Sequence, residues 1–102
     1  MCHSIFEMTA EEITLNIAVN LGRIGRFGLE GKEKRVKQFI AETEEYLKAL
    51  EKAEKKERFM RTYEMFQRKF NSEIKGNRTF DDAWAETAFT WANILTHRAK
   101  LA

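Results

Sequence analysis

Gly22, Gly25, Gly28 and Gly31 recur at a spacing of three, with Arg23 and Arg26 between them and Lys32, Lys34, Arg35 and Lys37 close behind. Glycine lets a backbone approach a ligand closely, and backbone N–H groups beside cations hold phosphate, so this stretch has the residue types of an anion-binding loop. The two common phosphate spacings are missing. A Walker loop needs Gly-x-x-x-x-Gly-Lys-Ser/Thr after a strand, and a dinucleotide fingerprint needs Gly-x-Gly-x-x-Gly between strand and helix.

The Gly-x-x-Gly unit resembles the nucleotide-clamping loop of KH domains. That resemblance implies helices paired with a sheet, and the strand segments such a sheet requires are lacking. The charge distribution is more informative. Residues 23–37 hold six bases and two acids, and residues 55–78 eight bases and three acids, while the chain as a whole carries only +2. If the helices containing these segments form an antiparallel hairpin, one end of the molecule gathers Arg23, Arg26, Lys32, Lys34, Arg35, Lys37, Arg68, Lys69, Lys75 and Arg78. Cations in the first turn of a helix oppose its dipole, and a bound anion reverses that penalty. This basic end is therefore the candidate anion site, with nucleic acid as the phosphate source. Against it stand Glu30 and Glu33 within the cluster, a pI near 8.8, and the general rule that such charge runs are solvated faces.

Catalytic patterns are weaker. His3 and His97 are far apart, with no Glu-x-x-His pair of a di-iron bundle and no His-Glu-x-x-His zinc motif. His97 sits where an imidazolium meets the C-terminal end of a helix dipole. Glu11/Glu12, Glu44/Glu45 and Asp81/Asp82 are sequence neighbours, so they do not face one another on a helix, and they read as caps and surface charge. The lone Cys2 has no partner for an internal disulfide. The expectation is a protein without enzymatic activity, metal or cofactor.

The elements that position these residues follow from composition. The 102 residues include no proline and five glycines, 43% are hydrophobic, and eight Phe with two Trp and two Tyr suffice to fill one core. A single all-α domain over residues 1–102 is expected. No basic stretch leads into an apolar one at the start, and no window approaches about 18 consecutive apolar residues, so a soluble cytoplasmic protein with no membrane partner is expected.

Thr9 and Glu12 form a capping box that opens a first helix near Ala10. Ile13, Ile17, Leu21 and Ile24 give its inner stripe, Leu15, Ala18 and Val19 widen the apolar arc, and Glu12, Asn16, Asn20 and Arg23 mark a narrow polar strip. The glycines predict its end between Gly22 and Gly28. A second helix starts at Lys32 on Val36, Phe39, Ile40, Thr43, Tyr46, Leu47, Leu50 and Ala53. Phe59, Tyr63, Phe66, Phe70 and Ile74 form a third stripe roughly opposite the second, which predicts a turn near Glu54 to Glu57. The alternative is one long central helix from about Lys32 to Ile74 packing in a dimer. Thr79 is expected to cap a last helix starting near Phe80, with Asp82 completing a capping box and Phe80, Trp84, Ala88, Trp91 and Leu95 facing inward.

Four helices with short connections predict an up-down-up-down bundle. Its expected work is protein–protein interaction or self-association as a homo-oligomer, a homodimer in the simplest case. The alternative function is nucleic-acid-binding regulation through the basic, glycine-rich end.

Overall fold

The computed structural model describes residues 7–76 and 79–102. Cys2, His3, Asn77 and Arg78 lie outside the described residues. Four α-helices form: α1 (Ala10–Leu29), α2 (Glu33–Lys52), α3 (Glu57–Lys69) and α4 (Asp82–Arg98), with no strand among the described residues. A π-helical turn (Phe70–Ile74) extends α3, and a 3-10 turn (Ala99–Leu101) follows α4.

The capping box is present. Thr9 Oγ1 accepts from the Glu12 backbone N–H at 3.1 Å, and Glu12 Oε1 accepts from the Thr9 N–H at 2.9 Å. α1 then runs past the predicted end, through Gly22, Gly25 and Gly28, to Leu29. Packing overrides propensity here. A β-carbon on Gly25 would stand 2.7 Å from the Phe89 ring, and one on Gly28 would overlap the indole of Trp84, so the two bare positions are where α4 lies against α1. The stop comes from Gly31, at φ +73°. Its N–H donates to Gly28 O and that of Lys32 to Phe27 O, the paired bonds of a Schellman cap.

α1 is the central element. α2 packs along one side of it, with Asn20 Nδ2 donating to Glu42 Oε1 at 3.2 Å and the Arg23 guanidinium 5.3 Å from the Phe39 ring. α4 packs along the other through Phe89 and Trp84. In both pairs the contacts advance along one helix as they retreat along the other, so α1 runs antiparallel to α2 and to α4. α3 joins α4 the same way: Arg98 Nη1 donates to Thr62 Oγ1 at 3.1 Å, Phe66 meets Trp91 at 5.5 Å between ring centroids, and Trp84 Nε1 donates to Ile74 O at 3.2 Å. The core between them is built from Ile13, Ile17, Leu21 and Ile24 of α1, Leu47 and Leu50 of α2, the aromatic stripe of α3, and Trp84, Trp91 and Leu95 of α4.

The long central helix does not form. Residues 53–56 leave helical geometry, with extended backbone at Ala53 and Lys56. Lys55 replaces the missing glycine or proline signal: its ammonium donates to Leu50 O at 2.5 Å and to Glu51 O and Ala53 O at 3.0 Å, closing the open carbonyls of α2, and lies over the Tyr63 ring at 4.9 Å. Burial pushes the Lys55 pKa below its ordinary value, with Glu51 pulling the other way.

Two local expectations need correction. The cap of α4 is Asp81, whose Oδ1 accepts from the Trp84 N–H at 2.8 Å, so the helix starts at Asp82 and not at Phe80 under a Thr79 cap. Asp81 supplies a charged acceptor at the dipole's positive end, a stronger cap than a hydroxyl two residues earlier. Asn20, expected on a polar strip, is buried between α1 and α2.

Candidate interaction surfaces

Two surfaces stand out, both carried by α1. The first is its outer stripe. At about 100° per residue, Glu11, Leu15, Val19, Gly22, Arg26 and Leu29 fall within an arc of about 80°. α2 and α4 flank that arc without covering it. Leu15 is 41%, Val19 54% and Leu29 52% exposed, and Phe89, leaning over Gly25 from α4, is 39% exposed. Gly22 sits midway, with nothing within 4 Å of where its β-carbon would be, so the stripe has an open notch at its centre. Glu11 and Arg26 lie toward opposite ends of the stripe, and neither has an ion-pair partner among the described residues.

The sequence sets Leu15 and Val19 in the apolar arc of α1 beside its inner stripe, and the structure leaves both exposed while Ala18 is buried. The signal that they face outward was the width of the arc. A core-facing stripe needs little more than about 100°, and these apolar residues lie beyond the part of the arc that α2 and α4 cover.

The second surface is the corner where α1 turns into α2. Phe27 and Phe39 stack at 5.7 Å between centroids with 12° between planes, and three cations surround them. Arg26 lies 4.9 Å and Lys32 5.5 Å from the Phe27 ring, and Arg23 lies over Phe39. Lys34, Arg35 and Lys37 stand exposed on the first turns of α2, where Lys32 occupies the cap position without a side-chain cap bond.

The ten predicted anion-site residues do not form one cluster of free charge. Lys32 pairs with Glu30 at 2.9 Å, Lys37 with Glu33 at 3.2 Å, Lys69 with Glu73 at 2.5 Å, and Lys75 with Glu44 in the middle of α2 at 3.0 Å. Arg68 and Lys69 line a groove with Met65 of α3 and with Ser72 and Glu73 of the π-helical turn. Lys69 also borders the groove between α3 and α4 that includes Glu86 and Thr90. Arg26, Lys34, Arg35 and Arg68 have no acidic partner among the described residues, and Arg23 donates to Asn20 Oδ1 at 3.5 Å. Arg78 lies outside the described residues. The structure thus brings together Arg23, Arg26 and Lys32, leaves Lys34, Arg35 and Lys37 on the next two turns, and puts Arg68 and Lys69 in a separate groove.

No protein-family model, curated protein or solved structure matches the chain. Among the described residues, no three of His, Cys, Asp and Glu gather as metal ligands, and no helix is long and apolar enough to cross a membrane.

Proposed function

We propose that this protein is a non-enzymatic, cytoplasmic helical module that works by protein–protein contact, through self-association on the outer stripe of α1. The supporting observation is that the helix most enclosed by its neighbours still presents Leu15, Val19 and Leu29 to water, with Phe89 beside them. Single exposed apolar residues are ordinary on a protein surface. A row of them on the central helix, next to an open glycine notch, has the composition of an interface core, where a fully buried aliphatic side chain contributes about 1.5–3 kcal/mol. The test is sedimentation equilibrium at micromolar concentration. The wild type is expected as a dimer, and Val19→Asp, at an exposed position, as a monomer of unchanged helicity. A monomeric wild type overturns the reading.

A second reading draws on the stacked Phe27/Phe39 pair and the cations around it. Basic side chains held on aromatic faces beside the unpaired Lys34 and Arg35 form a surface suited to the phosphates of nucleic acid. Salt-dependent binding of labelled RNA or duplex DNA tests it.

A further inference from the structure

Resting on the self-association reading, we infer that the occupant of the α1 stripe is a second copy of this chain, packed antiparallel about a two-fold axis beside Val19, with Glu11 of each copy facing Arg26 of the other. The inference starts from the order of residues along the stripe. From its N-terminal end the stripe reads acid, apolar, apolar, notch, base, apolar: Glu11, Leu15, Val19, Gly22, Arg26, Leu29. A surface with an acid at one end and a base at the other complements itself only when the second copy is reversed, because a parallel pairing sets Glu11 on Glu11 and Arg26 on Arg26. Two-fold symmetric interfaces have this isologous character, in which residue i meets j and j meets i.

The steric pattern agrees with the charges. Placing Glu11 opposite Arg26 centres the axis between Ala18 and Val19, and the same register sets Leu15 of each copy against Gly22 of the other. Leu15 is exposed and Gly22 opens onto free space, so a protruding isobutyl group meets a gap where no β-carbon stands. Both Val19 side chains then lie beside the axis. Phe89, held over Gly25 by α4, flanks the same face and widens the apolar area around the stripe.

The experiment is directed disulfide formation in a Cys2→Ser background. Copies carrying Glu11→Cys mixed with copies carrying Arg26→Cys should oxidise to a crosslinked pair, while either variant alone should remain uncrosslinked at matched concentration. As a second readout, Glu11→Lys or Arg26→Glu alone should weaken association several-fold, and the two changes combined should recover it. Efficient crosslinking of either single variant overturns the antiparallel register. Failure of the mixture to crosslink, in protein that still sediments as a dimer, overturns this geometry and leaves self-association through another face. Monomeric wild type removes the geometry together with the reading on which it rests.

Discussion

The indole of Trp84 lies against the bare backbone of Gly28, with no space between them for a β-carbon, and the same indole donates its Nε1–H to the carbonyl of Ile74 at 3.2 Å. One side chain near the start of α4 therefore joins the end of α1 to the π-helical turn after α3. These three chain segments converge beside the α1–α2 corner, so the packing that fixes the fold also fixes the platform for the basic surface.

The first prediction separates the glycines by what surrounds them. Gly28→Ala adds a methyl group that collides with a buried ring, a cost of about 1–3 kcal/mol. Better helix propensity returns at most about 1 kcal/mol, so a net loss is expected. Gly22→Ala meets open space and is expected to stabilise the folded chain by about 0.5–1 kcal/mol. Gly25→Ala should fall between, because the half-exposed Phe89 can swing aside. Urea denaturation below the concentration of association measures all three; a stable Gly28→Ala variant contradicts the packing described.

This contrast also shows what the sequence made legible. The all-α class, the start of α1 and the break between α2 and α3 followed from capping residues and from the phase of the apolar stripes, which are local properties. The continuation of α1 through three glycines was not local, since it depends on Trp84 and Phe89 arriving from about sixty residues away. The basic end was legible as charge but not as geometry. Its i,i+4 pairs with Glu33 and Glu73 are local to a helix face, whereas the Lys75–Glu44 pair and the stacking of Phe27 on Phe39 exist only once the helices are docked.

The second prediction concerns the α2–α3 turn, where one ammonium serves three carbonyls. Lys55→Met keeps most of the aliphatic stem and removes those bonds together with the contact on Tyr63. A loss of about 1–2 kcal/mol is expected, reduced from the buried value because the group is partly solvated. Lys56→Met, at the exposed neighbouring position, should stay within about 0.5 kcal/mol of wild type. Equal effects of the two changes would rule out a specific cap.

The third prediction is an alkaline limit set by Tyr63. Burial holds its hydroxyl above the ordinary value of 10.0, and Glu51 and Glu64 push in the same direction. The unfolded chain therefore ionises first. The contribution to stability is complete below pH 10 and is lost as pH rises through the folded value. Phenolate absorbance of a Tyr46→Phe variant isolates Tyr63, and its midpoint is expected to lie above that of the same variant in denaturant. A midpoint at or below the unfolded one refutes the burial of this ring.

The fourth prediction tests the nucleic-acid reading by comparing the α1–α2 corner with the α3 groove. Each phosphate neutralised on a duplex adds about 0.9 to the slope of log affinity against log salt. Changing Arg23, Arg26, Lys34 and Arg35 together to Ala should therefore flatten that slope by several units and weaken binding at every salt concentration. Arg68→Ala with Lys69→Ala should leave the slope nearly unchanged, because Lys69 is already neutralised by Glu73 and the pair lies in a separate groove. Fluorescence anisotropy of labelled RNA and duplex DNA reads both variants, with helicity checked by circular dichroism because Arg23 also packs on Phe39. Equal losses from the two sets would mean that net positive charge, and not the aromatic-backed corner, attracts the polymer. The assignment of the corner depends on the difference between them.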